Sequence, residues 1–328
     1  MLCHRWGEGV KTPAVVSIII VSWNVRDFLE ACLRSVYRET ASLPIEVIVV
    51  DNGSSDGTPE MVERDFPAVR LFRYGENLGF TRANNVALRM VLQEKTSRYI
   101  LLLNSDTEIR ERGIEELAAY LDKRPEVDAV APALILPDGR FQPGAGGHFP
   151  SWTTGFNYFF FLFKLFPRKA PGLFIDQARL MRKKAPVALD WLSAACLLVR
   201  REIVERAGVL NEDYSIYADD IDWGLRMRRA GGLLHYLPRV RILHYHGVTA
   251  KHVTGEMNTK WLKMVYFYVR QEKGAVQYAL FRAFSVCGFF LRFAAYAVLA
   301  GPKKEGYYPQ KKRELKSFLL FSLRGDRA

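Results

Sequence analysis

The 328-residue chain carries 47 Lys and Arg against 35 Asp and Glu, a formal charge of +12, and 49% of its residues are hydrophobic. That hydrophobic share excludes a disordered tail, and the length suits one large domain with an appendage or two domains. The charge is uneven: Lys260 to Ala328 holds 14 Lys and Arg against 4 Asp and Glu, so the tail supplies +10 and the body is close to neutral, which points to an anionic partner for the tail.

Residues 1–14 read as an extension that includes Glu8 and lacks the charged-then-apolar pattern of an export leader, so export is not expected. Val15 to Ser22 and Ile45 to Val50 are continuous Val- and Ile-rich runs, the pattern of strands buried on both faces of a parallel sheet. Between them, Asp27 to Leu33 has helical apolar spacing. Asp51 to Thr58 is too rich in Gly, Ser and Asp for regular structure and reads as a loop. A helix is predicted over Pro59 to Phe66, a strand over Val69 to Arg73, a helix over Asn84 to Gln93, and a strand over Tyr99 to Leu103 ending in Asn104-Ser105-Asp106. This alternation implies βαβ units with ligands at the C-terminal ends of the strands.

Beyond Pro132 the rhythm breaks. A Gly- and Pro-containing segment, Leu136 to Pro150, precedes an aromatic run, Phe156 to Phe166. That run is about half the length of a bilayer span and reads as a buried or interfacial element. Leu189 to Arg200 is predicted as a buried strand and Glu202 to Ala207 as a short helix. A helix running to Gly231 opens with Asp219, Asp220 and Asp222, and a strand follows near Arg241 to Tyr245. In the tail, Ala275 to Ala300 approaches spanning length, but Arg282 and Arg292 would be costly at mid-bilayer. An amphipathic helix on an anionic membrane surface is expected, supported by Lys303-Lys304 and Lys311-Lys312-Arg313. A core-packing helix with an exposed basic face is the other reading. Cys3, Cys32, Cys196 and Cys287 are scattered singly, which suggests neither a zinc site nor a disulfide framework and suits a reducing cytosol.

Two readings fit the crowded carboxylates Asp219, Asp220 and Asp222: a solvated helix N-terminus, or a cluster kept for a cation or a proton transfer. The cluster alone does not choose between them. Asp51, directly after a buried strand, could accept hydrogen bonds from a nucleobase or ribose, although by itself it reads more simply as a turn residue. Asp106 repeats the situation after the strand that ends in Leu101-Leu102-Leu103, where a carboxylate can hold Mg²⁺ or Mn²⁺. With the acidic cluster and His244, these are the ingredients of a metal-assisted transfer from a nucleotide.

The ordered set Val16 to Asn24, Val50 to Thr58, Asn77-Leu78-Gly79-Phe80 with Asn84-Asn85, Leu102 to Thr107, Trp191 to Arg201 and the acidic cluster with Arg226 closely resembles the family 2 glycosyltransferases of the GT-A fold, especially the branch containing bacterial rhamnosyltransferases. It spans Val15 to Thr249. The resemblance implies an α/β fold: a mostly parallel nucleotide-binding sheet flanked by helices, with a nucleotide-binding half (15–135), an acceptor-side half (136–255) and a basic amphipathic helical tail (256–328). It implies that Asp51 contacts the base or ribose of a nucleotide sugar, with Ser22, Asn24, Asn77, Gly79 and Phe80 shaping the pocket. Asn104 and Asp106 match the degenerate Asp-x-Asp motif with Asn104 replacing its first acid, which leaves Asp106 as the metal-ligand candidate. His244 matches the late histidine that approaches the metal or diphosphate; His246, at a position often occupied by Gly, is a less secure candidate. Asp220 matches the catalytic base of a Glu-Asp pair in which Asp219 replaces Glu. Asp222, four residues before Arg226, is placed for a helical ion pair that leaves Asp220 on another face.

The implied activity is inverting sugar transfer with Mg²⁺ or Mn²⁺. The donor is a nucleoside diphosphate sugar, dTDP-rhamnose favoured, and the acceptor is a lipid-linked or polysaccharide glycan of the cell envelope. The expected location is cytoplasmic, peripheral to the inner face of the membrane. A nucleotidyltransferase fits less well because Asn52 to Gly57 is not a basic phosphate-binding loop. A nucleic-acid partner is not expected, since the body lacks a nucleic-acid motif and the tail's bulky apolar content suits lipid.

Overall fold

In the computed structural model, which describes residues 15–95, 97–166, 169–176, 180, 184–214, 217–246, 257–300 and 307–324, the first apolar run forms strand β1 (Val16–Ser22). It pairs in parallel with β2 (Ile45–Asp51) on one side and β4 (Tyr99–Asn104) on the other, and β3 (Arg70–Arg73) extends the sheet beside β2. Ile18, Ile19 and Ile20 are all fully buried because helices α1 (Arg26–Glu39), α2 (Thr58–Asp65) and α3 (Phe80–Glu94) flank the sheet; this is why the sequence shows a run rather than an alternation. The register sets Ser22 opposite Asp51 and Val21 opposite Asn104, so three polar residues end neighbouring strands at one edge.

The second half continues the same nine-stranded sheet. After the two-residue strand β5 (Thr107–Glu108) and helix α4 (Gly113–Lys123) come β6 (Ala129–Ile135) and β7 (Gly146–Gly147), then helices α5 (Trp152–Phe159) and α6 (Leu162–Leu165). The strand expected over Leu189 to Arg200 is three pieces: β8 (Val187–Leu189), β9 (Trp191–Leu192) and β10 (Cys196–Arg200). Helices α7 (Arg201–Ala207) and α8 (Asp219–Arg229) precede β11 (Leu234–His244). The strand order is β3-β2-β1-β4-β10-β6-β11-β5, with β8 also on β11. Pairing is parallel across β3, β2, β1 and β4 and between β6 and β11, whereas β10 runs antiparallel to both its neighbours. β6 and the longer course of β11 escape the sequence pattern because each contains a proline. Pro132 pairs with Leu237 where the β6–β11 register shifts, a place where a missing N–H is tolerated.

The aromatic run divides its faces. Phe159 and Phe163 are buried, while Phe161, Leu165 and Phe166 are exposed. The tail forms helices α9 (Met257–Ala300) and α10 (Tyr307–Arg324). Thr259–Leu299 is long and apolar enough to cross a membrane by length and composition, but Gly274, at φ 82° and ψ 174°, breaks the helix. The Tyr266 ring meets those of Tyr278 and Phe281 at 5.8 and 5.9 Å, so residues 275–300 fold back along 257–273. The tail is therefore a helical hairpin plus a third helix, not one helix laid flat. It builds a second core in which Leu262, Val265, Tyr268, Phe281, Phe289 and Leu315 pack with Phe159 and with Tyr214, Ile221 and Leu225 around α8.

Arg282 and Arg292, whose charge argued against a bilayer span, donate to backbone carbonyls. Arg282 Nε reaches Ser322 O at 2.7 Å, and Arg292 Nη2 reaches Tyr158 O at 2.7 Å. Each thereby satisfies a last-turn carbonyl at a helix C-terminus. Residues 1–14, Lys303-Lys304 and the expected boundary at 255/256 lie outside the described residues. Truncating the fully buried Phe281 to Ala should lower unfolding free energy by about 3–5 kcal/mol, read from urea denaturation.

Candidate active site

Ser22 and Asp51 sit side by side at the sheet edge, each only 1% exposed. Asp51 Oδ2 accepts a hydrogen bond from Ser54 N at 3.1 Å, but Asp51 Oδ1, Ser22 Oγ and Asn104 Oδ1 are buried without a partner. Such an atom costs about 1–3 kcal/mol when left unsatisfied, so three of them along one edge mark a place for a polar ligand. Burial raises the Asp51 carboxyl above its ordinary value.

Two loops wall this edge. Asn24 Oδ1 accepts from Ser55 N at 2.8 Å while Asn24 N donates to Ser54 Oγ at 3.0 Å, which ties the loop after β1 to the loop after β2. Asn52, which the sequence reading did not single out, donates from Nδ2 to Asn77 Oδ1 at 2.8 Å and accepts from Leu78 N at 2.7 Å. Asn77 Oδ1 also accepts from Gly79 N at 2.9 Å, ahead of Phe80, the first residue of α3. Asn77 and Gly79 thus shape the wall through the backbone. Gly53 is required here: at φ +79° its absent Cβ would lie 2.9 Å from the Glu76 backbone.

Asp106 and His244 meet because β5 lies antiparallel to β11, with Thr107 opposite His244. His244 Nε2 lies 3.0 Å from Asp106 Oδ1 and 3.3 Å from Asn104 Nδ2, and its Nδ1 contacts Gln142 Oε1. The His246 ring stands perpendicular to that of His244, with centroids 5.6 Å apart. Among the described residues no three His, Cys, Asp or Glu side chains gather as a self-contained metal site. The donor set nevertheless fits Mg²⁺ or Mn²⁺: a carboxylate oxygen, an imidazole nitrogen and an unpartnered buried amide oxygen.

The acidic cluster approaches the same edge. Asn104 N donates to Ala195 O at 2.9 Å; the Ala194 amide next to it is near enough to favour the ionised Asp220 carboxylate, which accepts from Ile221 N at 2.9 Å. Tyr217 (φ 63°) and Ala218 (φ 59°) hold left-handed backbone just before α8, a strain that non-glycine residues adopt only when their surroundings enforce it. Asp222 Oδ2 accepts from Arg226 Nε at 2.8 Å, and Arg226 Nη1 donates to Ala207 O and Val209 O, so this carboxylate is structural. A solvated helix start is excluded, since Asp219 and Asp222 are 4% and 5% exposed. Burial first, then the charge of Asp219, raises Asp220 well above the carboxylate range; burial lifts Asp219 to about 6.

Asn85 completes the frame. Fully buried, it donates to Leu210 O and accepts from Leu210 N, both at 2.9 Å, and so clamps α3 to the segment that leads into α8. The signal for it was a pair of amides, Asn84-Asn85, inside a helical pattern.

Residues 17–186 match the family model described as glycosyl transferase family 2. The chain is 31% identical over 238 residues to N-acetylglucosaminyl-diphospho-decaprenol L-rhamnosyltransferase of Mycobacterium tuberculosis, covering 70% of this chain and 76% of that protein. It is 24% identical over 223 residues to dTDP-rhamnosyl transferase RfbF of Shigella flexneri, covering 68% and 67%. The fold is shared with mannosyltransferase PcManGT from Pyrobaculum calidifontis, solved in complex with GDP-Man and Mn²⁺, at a TM-score of 0.57 and 18% identity over 94% of this chain and 87% of that one.

Because the folded pKa of Asp219 lies above its unfolded value, ionising it costs stability. That cost is absent below pH 4, grows as pH rises, and is complete above the folded pKa of about 6. Asp219→Asn should therefore gain stability over the native chain between pH 4 and 7, by on the order of 2 kcal/mol, measured by urea unfolding across that range without added metal.

Proposed function

The chain belongs to glycosyl transferase family 2, and from that premise we propose that it is an inverting L-rhamnosyltransferase of cell-envelope glycan synthesis. It takes the sugar from a nucleoside diphosphate sugar, dTDP-rhamnose first among them, and passes it to a lipid-linked or polysaccharide acceptor. The names of the Mycobacterium and Shigella relatives, both rhamnosyl transferases, support that choice of sugar. The observation that carries the reading is the convergence of Asp220 and the Asn104–Asp106–His244 group on the Ala194–Ala195 turn.

Each group has a task suited to its surroundings. Ser22 Oγ and Asp51 Oδ1, buried and unpartnered, bind the nucleoside, with Asn24, Asn77, Gly79 and Phe80 forming its walls. Asp220 removes the proton from the acceptor hydroxyl as that oxygen attacks the anomeric carbon opposite the leaving diphosphate, which inverts configuration. Its elevated pKa makes it a stronger base than a solvated aspartate once ionised. Asp219 keeps that pKa high, and Asp222 with Arg226 holds the helix in place. When bound, Mg²⁺ or Mn²⁺ held by Asp106 and His244 beside Asn104 would neutralise charge on the departing diphosphate.

The enzyme works in the cytoplasm against the inner face of the membrane. Exposed Phe290, Leu291, Val298 and Leu299 on α9 and exposed Phe161, Leu165 and Phe166 around α6 support this, as does the +10 charge of the tail.

A panel of nucleotide sugars with Mg²⁺, Mn²⁺ or EDTA tests the chemistry. Transfer from dTDP-rhamnose, lost in EDTA, is expected, and turnover with other donors alone would overturn the sugar assignment. Asp220→Asn should lower kcat by about 10²–10⁴-fold while donor binding and the unfolding midpoint are retained; near-native turnover would remove it as the base. For the membrane, Phe290→Ser with Leu291→Ser should reduce co-sedimentation with phosphatidylglycerol vesicles. Equal sedimentation of both proteins, or no preference over phosphatidylcholine, would count against that docking face.

A further inference from the structure

Gln142 belongs to none of the sequence motifs, yet the fold delivers it to the centre of the site. The chain turns back after β6: Leu136 N donates to Arg140 O at 2.8 Å, Phe141 bridges to Ile135, and Gln142 N donates to Leu134 O at 2.9 Å. Since β6 lies parallel to β11 with Ile135 opposite Leu243, this hairpin brings the Gln142 carboxamide against the buried ring of His244.

Two of the three polar contacts of that ring, those with Gln142 and Asn104, point to the same position for its proton. Gln142 Oε1 has only lone pairs to offer, so its contact with Nδ1 is a hydrogen bond when Nδ1 carries hydrogen. Across the ring, the Asn104 Nδ2 amide group, 3.3 Å from Nε2, is a donor and needs a lone pair to receive it. Both arrangements select the tautomer with the proton on Nδ1 and the lone pair on Nε2. That lone pair then faces Asp106 Oδ1 at 3.0 Å, an acceptor against an acceptor, which either a cation between them or a second proton on the ring relieves.

We propose that Gln142 is a positioning residue that holds His244 in its Nδ1–H tautomer, so that Nε2 and the Asp106 carboxylate form a ready cleft for a divalent cation. The inference rests on the metal reading of this site given above. Without the Gln142 oxygen, the imidazole is free to carry its proton on Nε2 and donate it to Asp106, leaving no lone pair for a metal. Hydrogen-bond partners that orient a ligating histidine commonly change metal affinity by 10–100-fold.

Nitrogen-15 NMR of the His244 ring in metal-free protein reads the tautomer directly, and EPR of Mn²⁺ titrated alone and with thymidine diphosphate reads the cleft. The native protein should show Nδ1–H and bind Mn²⁺. Gln142→Leu should move the ring toward Nε2–H and weaken Mn²⁺ binding by about 10–100-fold. Gln142→Glu, which keeps an acceptor at Nδ1, should retain the tautomer and hold affinity within about threefold, and it carries the test if the leucine variant does not fold. A native ring in the Nε2–H form that still binds Mn²⁺, or a folded Gln142→Leu protein with undiminished Mn²⁺ binding, overturns the proposal. A native Nδ1–H ring in protein that binds no Mn²⁺ overturns the metal reading beneath it, so the two failures are distinguishable.

Discussion

One backbone turn joins the two working parts of the molecule. At Ala194–Ala195, between β9 and β10, a carbonyl accepts from the Asn104 amide on one side, and the neighbouring Ala194 N–H favours the ionised Asp220 carboxylate on the other. The strand edge that carries the nucleotide-side residues and the helix that carries the acidic cluster are more than 100 residues apart in sequence. The turn that takes up the Asn104 amide also passes beside Asp220, and its planar peptide groups have little freedom to adjust. This is why β10 must run against β4: only an antiparallel strand ends its preceding turn beside the C-terminal end of β4.

Around that turn, the protein frames its site with buried carboxamides as well as with the Asp222–Arg226 ion pair. Asn52 braces the loop before α3, Asn85 clamps α3 to the chain before α8, and Gln142 touches His244. A carboxamide both donates and accepts, so it can hold two backbone groups without placing a net charge near the carboxylates. The field at the edge is thereby left to Asp51, Asp106, Asp219 and Asp220, and burial keeps Asp51, Asp219 and Asp220 reluctant to ionise. The cost of burying such groups, to which the left-handed backbone at Tyr217 and Ala218 adds, is offset by the large apolar sheet beneath them.

Much of the nucleotide-side half was legible because its strands are buried on both faces and so read as unbroken Val and Ile runs, each ending in a polar residue at the edge. Beyond β5 legibility fell. Pro132 and Pro238 interrupt β6 and β11, and the split of residues 187–200 into three strands depends on pairing with distant partners. The separation of Asp222 from Asp220 could be read from the i, i+4 spacing to Arg226. Asn52 and Gln142 could not, because nothing in local spacing tells an amide in a loop which remote group it will meet. In the tail, composition indicated helix, but the reversal at Gly274 and the use of Arg282 and Arg292 on carbonyls arise only from tertiary packing.

The second core also bears on how this chain is divided. Phe267 of α9 packs edge-on against Tyr214 at 5.3 Å, and Glu272 accepts from Arg229 at 2.7 Å, so the tail grips α8 near both of its ends. Domain boundaries drawn by composition would treat the basic tail as a detachable module. A chimera that exchanged tails between relatives at such a boundary would separate α8 from the surface that holds it, and would need to carry residues 214–229 along with the tail. The unit of inheritance here is the acidic helix together with its support.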